Sequence, residues 1–309
     1  SGDQRVAKPK RERIRTEAQV RRKLESEKRG SLEGEYRPFL LIHDFTSHGR
    51  VSRVKYRNRE AHLMSDLETA MFQELLWHPD VVEIREQFPL DRADTLRIAK
   101  EMNVNHPKLQ GDGGVLPITS DFVVDFRFGK DPENAPVVRR AVAVKPVSSL
   151  VRSAEGSRRE GQTRATNTID KLEIERRYWA ERNCGWYLVT NAELCKTRKT
   201  NIELLLGTED PPEDEEDVWV ERLVQTFVET QSKPKAKIFE LQPPFMRAGN
   251  VPVEVVTRAV RLLCKYRFLD FKMDRLFSTG MRSEQFKLGP TANLFFEGDT
   301  TSRVAEGSD

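Results

Sequence analysis

The sequence predicts an α/β chain: a mixed-sheet core, followed by a smaller module of helices and short strands. Three observations predict it. Helix-like and strand-like segments alternate from about residue 36 to residue 205. An acidic, proline-broken run, Glu209-Asp210-Pro211-Pro212-Glu213-Asp214-Glu215-Glu216-Asp217, then interrupts the chain. Beyond it come two further helical segments and short apolar strands.

The elements follow in order. Residues 1–34 carry an excess of Arg and Lys with few apolar residues, the composition of a basic arm that is disordered until it meets a polyanion. Phe39 to Phe45 and Arg50 to Tyr56 read as short strands around the turn-forming Ser47-His48-Gly49. Ser65 to Trp77 reads as a helix, with Leu67, Met71 and Leu75 on one face and His78-Pro79 ending it. Val81 to Leu90 is expected to be a strand and Thr95 to Met102 a short helix. The glycines of Gly111–Gly114 then turn the chain into two more strands, Asp121 to Phe128 and Val137 to Val144. Ser148 to Thr166 reads as a loop, Asn167 to Arg182 as an amphipathic helix and Trp186 to Thr190 as a buried strand.

In the second module, Val218 to Thr230 and Pro252 to Tyr266 read as helices. Phe268 to Met273, Phe286 to Leu288 and Leu294 to Phe296 read as strands. Helices, a basic helix and short strands in that order suggest a winged-helix-type domain. The expected organisation is therefore a basic arm at 1–34, a catalytic-type α/β domain at 35–200 and an acidic linker at 201–217. A winged-helix-like domain at 218–298 and a tail at 299–309 complete it.

Composition narrows the function classes. Charged residues make up 33% of the chain and net charge is only +3, so the uneven spread of charge is more informative than its total. Cys184, Cys195 and Cys264 show no C-x-x-C spacing, which argues for a reducing compartment and against zinc or a disulfide framework. The five histidines form no metal-ligand pattern. No apolar run approaches the ~20 residues of a membrane helix, and no signal peptide is visible. These features lead to the expectation of a soluble intracellular protein, and the opening Ser1-Gly2 reads as a remnant ahead of a natural start.

The candidate chemistry lies around residues 120–146. Asp121 heads one strand and Lys145 ends its neighbour, so acid and ammonium can meet at a sheet edge. There the acid can hold Mg²⁺ and the ammonium can steer a water, the arrangement of restriction-like nucleases. Ser65-Asp66-Leu67-Glu68 is a capping box on its face, but Glu68 would also offer a second carboxylate from the first turn of a helix on the sheet. Asp125, four residues beyond Asp121, and Glu175, on the later helix, are candidate near-site acids. Arg258, Arg261 and Lys265 recur at helical spacing and form a candidate DNA-facing row, with Arg11, Arg13, Arg21 and Arg22 of the arm as phosphate contacts.

Longer runs carry a family resemblance. They are H-L-M-S-D-L-E-T-A-M-F (62–72), V-x-x-I-R-E-Q-F-P-L (81–90), N-H-P (105–107) and T-S-D-F-V-V-D (119–125), then A-V-x-V-K-P (141–146) and K-L-E-x-E-R-R-Y-W (171–179). Across roughly residues 36–205 the chain resembles the TnsA family, the endonuclease subunits of heteromeric cut-and-paste transposases. The resemblance implies a restriction-endonuclease-like core with a winged-helix-type domain, and Mg²⁺-dependent cutting of the 5′ strand at transposon ends, Mn²⁺ being an alternative ion. It also implies a TnsB-like transposase and a TnsC-like AAA+ regulator as partners, in a bacterial, nucleoid-associated setting without a membrane. The family's metal-binding Glu and Asp fall on Glu68 and Asp121, and its catalytic Lys on Lys145.

The family's fourth position, Gln or an acid, falls on Ala143, which has no ligand atom in its side chain. Three explanations stay open: an engineered inactivation, a natural variant compensated by Glu175 or Asp125, and an inactive structural subunit. The last would make the chain a non-catalytic DNA-binding and bridging subunit. A stand-alone restriction or repair nuclease is a further reading.

Overall fold

The computed structural model describes residues 14–31, 35–44, 50–129, 134–155, 168–249 and 251–292. It divides into two compact units, Ser1–Leu194 and Cys195–Asp309.

Unit 1 begins with a folded piece of the expected arm. Helix α1 (Glu17–Arg21) is capped by Thr16, whose hydroxyl receives Gln19 N–H while the Gln19 side chain returns to the cap. A wider turn continues it through Ser26. Val20 is fully buried against Phe39 and Leu109, with Ile14, Leu24 and Leu116 around them. Lys23 forms a buried ion pair with Asp44 at 2.5 Å. The expectation of a disordered arm is thus corrected for residues 14–31: its few apolar side chains suffice to dock it once Phe39 and Leu109 offer a surface. Arg11 and Arg13 lie outside the described residues.

A hairpin follows, β1 (Ser52–Tyr56) and β2 (Arg59–Leu63), turning through Arg57 in the left-handed region. The expected strand from Phe39 is not formed; Ile42–Asp44 is a single tight turn, and residues 45–49 lie outside the described residues. Next come α2 (Asp66–Trp77), β3 (Val81–Pro89), α3 (Arg92–Glu101), β4 (Thr119–Arg127) and β5 (Val137–Val144). After them lie α4 (Val147–Glu155), α5 (Thr168–Ala180) and β6 (Gly185–Val189). Helix α4 occupies the start of the stretch expected to be a loop.

The sheet is mixed, in the order β3-β4-β5-β6, with β5 and β6 parallel and the other pairs antiparallel. Alternation along β4 and β5 divides the core. Phe122, Val124, Val142 and Val144 pack with Ile84 against Phe72 and Leu75 of α2 and against the hairpin. Val123 and Ala141 pack on the other face against Ile98 of α3 and Ile174, Tyr178 and Trp179 of α5. Burying each large apolar side chain contributes about 1.5–3 kcal/mol, and β4, covered on both faces, carries much of this. Such a strand reads as a nearly continuous apolar run in sequence.

Unit 2 contains α6 (Lys196–Leu206), α7 (Glu216–Ser232), α8 (Pro244–Ala248) and α9 (Val253–Lys265), then an antiparallel pair, β7 (Leu269–Phe271) and β8 (Phe286–Leu288). Trp219, Ala259 and Leu262 join α7 to α9. The Asn201 amide donates to the carbonyls of Met273 and Arg275 and accepts from Phe277 N–H at 2.9 Å, fixing α6 to the segment between the strands. The expected linker at 201–217 is therefore corrected: residues 201–206 are helix, and Asp210 is held by Lys265 and Tyr266 at 2.6 and 2.7 Å. The expected strand Leu294 to Phe296 lies outside the described residues.

Candidate active site

Glu68 sits in the first turn of α2 and is buried. Ser65 caps the helix by accepting Glu68 N–H at 3.1 Å, a bond to the backbone of this residue and not to its carboxylate. Glu68 Oε2 accepts Met64 N–H at 2.9 Å and the Gln87 amide at 3.0 Å, while Oε1 accepts the Ser65 hydroxyl at 3.1 Å. Burial, then the negative charge of Asp121, push its pKa up to about 7.

Asp121, near the head of β4, is also buried. Its Oδ2 accepts both Val144 N–H at 2.7 Å and the Lys145 ammonium at 2.6 Å. Register explains the meeting. Phe122 pairs with Val142, so one step further along sets Ala143 across from Asp121 and brings the end of β5 to the acid. Burial disfavours the Lys145 ammonium, but Asp121, with help from Glu68 and Glu175, outweighs it and raises the pKa. Ala143 is fully buried and pairs with Leu188 of β6, offering a methyl group where a longer side chain would face Asp121.

Glu175 of α5 approaches the same acid and base from the opposite face of the sheet. Burial, then Asp121, push its carboxyl up to about 7. Hydrogen bonding from the Ser120 and Trp186 side chains pulls it the other way without cancelling that rise.

Asp125 does not join this group. It is clamped by Arg139 at 2.7 Å and Arg85 at 2.7 Å. Burial alone would raise its pKa, but the two guanidiniums hold it below the ordinary aspartate value. Four residues along a strand is about 13 Å, and the neighbouring arginines take the charge first, so the near-site reading of Asp125 is corrected.

The row on α9 is likewise used internally. Arg258 donates to the carbonyls of Glu209 and Asp210 and lies 4.5 Å from the Trp219 ring centroid. Arg261 lies over the Phe277 ring, and Lys265 reaches Thr208 O and the Asp210 carboxylate. These half-buried residues fasten α9 within unit 2, so the row expected to face DNA also has partners inside the unit. Arg21 and Arg22 remain exposed on the arm, with Arg22 3.6 Å from Glu27.

Sequence reading missed Gln87. It lies near the end of β3, is buried, and has φ +50°, a left-handed conformation uncommon outside glycine. The consequence is visible on either side of it. Glu86 faces the hairpin, bonded to Arg59 and His62 N–H, whereas Phe88 packs with Trp179 on the α5 face. Residues two apart in a regular strand share a face, so the strand changes faces at Gln87. No periodicity rule signals such a switch when the residue is not glycine.

A mixed sheet covered by helices, with buried carboxylates and a lysine meeting at the end of two adjacent strands, fits a restriction-endonuclease-like core. Residues 78–191 match the family described as TnsA-like endonuclease N terminal. The chain is 36% identical over 193 residues to transposon Tn7 transposition protein TnsA of Escherichia coli, an alignment spanning 62% of this chain and 63% of that protein. Asp121, Ala143, Lys145 and Glu175 fall within the matched family region, and Glu68 precedes it. No helix among the described residues is long and apolar enough to cross a membrane.

Proposed function

We propose that this chain is the DNA-cutting subunit of a cut-and-paste transposase, hydrolysing one phosphodiester in the 5′ strand at each element end. The observation that carries the reading is the 2.6 Å contact between Lys145 and Asp121, beside Glu68 and Glu175, inside a TnsA-like endonuclease domain. The match to a TnsA-like endonuclease domain supports nuclease activity in general; the strand cut and the metal used are our inference.

The residues fit a hard divalent cation. Carboxylate oxygens are the donors Mg²⁺ takes, and it needs only one or two of them because it retains waters and binds phosphate oxygens. Among the described residues no three His, Cys, Asp or Glu side chains are gathered where they could hold a metal ion. Glu68 and Asp121 would hold the ion, and Glu175, buried near the same pair, is the acid of this chain that could compensate for the side chain Ala143 lacks. Bound there, Mg²⁺, or Mn²⁺ in its place, lowers the pKa of water and offsets charge on the phosphate. Lys145 holds the nucleophilic water and screens the phosphate, and Asp121 fixes the ammonium for that task.

DNA phosphates are met by the exposed Arg21 and Arg22, with Arg11 and Arg13 before them. Helices followed by the β7–β8 pair support a winged-helix-type fold for unit 2. TnsB-like and TnsC-like proteins are the partners this reading implies, with the complex acting on DNA in the bacterial cytoplasm. Ala143 specifically favours a second reading, a bridging subunit with little chemistry of its own.

The two separate in one assay. A plasmid carrying element ends is incubated with the chain, TnsB-like and TnsC-like partners and Mg²⁺, and 5′-strand nicks are mapped. Nicking that falls at least ~10²-fold in Asp121→Ala and Lys145→Ala supports the nuclease. Assembly on the ends without any nicks supports the bridge.

A further inference from the structure

We infer that Gln87 is a positioning residue of the acidic site: its left-handed backbone and buried amide together aim the Glu68 carboxylate toward Asp121 and Lys145. The inference rests on the reading of Glu68 and Asp121 as a divalent-cation pair and adds the group that holds one of them in place.

Three independent observations converge on this residue. The first is geometric: Gln87 Nε2 donates to Glu68 Oε2 at 3.0 Å while its Oε1 accepts the Thr119 hydroxyl at 3.3 Å. The amide is thus held at both ends between α2 and the start of β4, the two elements that supply Glu68 and Asp121. The second is conformational: a non-glycine residue at φ +50° within a strand costs of order 1–2 kcal/mol and persists only where its surroundings enforce it. Its carbonyl is turned out to accept Phe39 N–H at 3.2 Å, so the docked N-terminal segment is part of that enforcement. The third is topological: the face switch between Glu86 and Phe88 occurs at the level of Asp121, because Glu86 pairs with Phe122 and Phe88 with Ser120. At that level Glu68 comes from the α2 side and Glu175 from the α5 side. Without the switch, the strand would present Phe88 to the α2 face.

A purely structural role is the competing account, and the test separates them. Gln87→Gly accepts the left-handed backbone without strain but removes the amide. Mn²⁺ binding is measured by calorimetry on the full chain, beside thermal unfolding in EDTA, with Asp121→Ala defining the site. The expected result is wild-type Mn²⁺ binding that disappears in Asp121→Ala, and binding weakened about tenfold in Gln87→Gly while its unfolding midpoint moves little. Unchanged Mn²⁺ affinity in Gln87→Gly, alongside loss in Asp121→Ala, overturns the role of Gln87 and leaves the cation site standing. Mn²⁺ binding that survives Asp121→Ala, or is absent from the wild type, overturns the cation-site reading and this inference with it. Should Gln87→Gly fail to fold, Gln87→Asn, which tolerates the left-handed region and shortens the amide by one carbon, replaces it with the same expected loss.

Discussion

At the residue scale, position 143 is where the proposed nuclease reading is most exposed to test. Ala143 is fully buried opposite Asp121, so a glutamine there would reach the acid–lysine pair from β5. Alanine suits a strand packed on both faces, which is why the substitution touches chemistry more than folding. Ala143→Gln is expected to raise Mg²⁺-dependent 5′ nicking by about 10²-fold, the scale of one well-placed electrostatic group. Overpacking should cost roughly 1–3 kcal/mol of stability, visible in denaturant titration. Ala143→Glu adds a fourth buried acid to Glu68, Asp121 and Glu175 and should fold less well. If neither variant changes a measurable rate, Glu175 is already filling the role, and Glu175→Gln is the substitution that should then abolish nicking.

At the element scale, the N-terminal segment shows how little apolar sequence suffices to fold a charged stretch. Glu17 N–H donates to Asp112 at 2.6 Å, Arg92 reaches Glu17 at 2.6 Å, and Gly111 N–H donates to Arg15 O at 2.9 Å. A Cβ on Gly111 would lie 2.5 Å from Arg15 O, a backbone atom that cannot yield without lifting the segment. Gly111→Ala is therefore expected to speed amide exchange across residues 15–21 while leaving β4 and β5 protected, and equal exchange in both proteins would show that the segment is held elsewhere. The contrast with the sequence reading is instructive. The central strands and α5 were legible because burial on a sheet enforces periodicity. The acid–lysine pair was legible because a hairpin's length sets where two strand ends meet. The arm was not, because its partners Phe39, Leu109 and Asp112 are remote in sequence. Nor was the α9 row, whose spacing is the same whether its cations meet phosphate or, as here, Glu209, Asp210 and Trp219.

At the scale of the whole molecule, the two units should differ in how their stability responds to pH. Glu68 and Glu175, both pushed up to about 7, lie in unit 1. Buried Glu86 of the same unit is raised too, burial outweighing its Arg59 partner. Between the unfolded glutamate value of 4.5 and about 7, the folded unit holds protons that the unfolded chain has released. Stability must then fall as pH rises through that window. His106 pulls the other way, since burial lowers its pKa and folding favours its neutral form, but it is one group against several. In unit 2 the shifted carboxyl is Asp210, lowered mainly by Lys265, and its contribution is lost only as pH falls below the ordinary aspartate range. In EDTA, the unfolding of unit 1, followed by Trp179 and Trp186 fluorescence in variants lacking the other tryptophans, is expected to shift to lower temperature between pH 5 and about 7.5. The transition of unit 2, followed through Trp219, should stay level over the same range. Glu68→Gln combined with Glu175→Gln should flatten most of the slope in unit 1, and Mg²⁺ should oppose it by holding the carboxylates ionised. A slope that survives the double substitution would assign the pH dependence to Glu86 and remove the two site carboxylates as its cause.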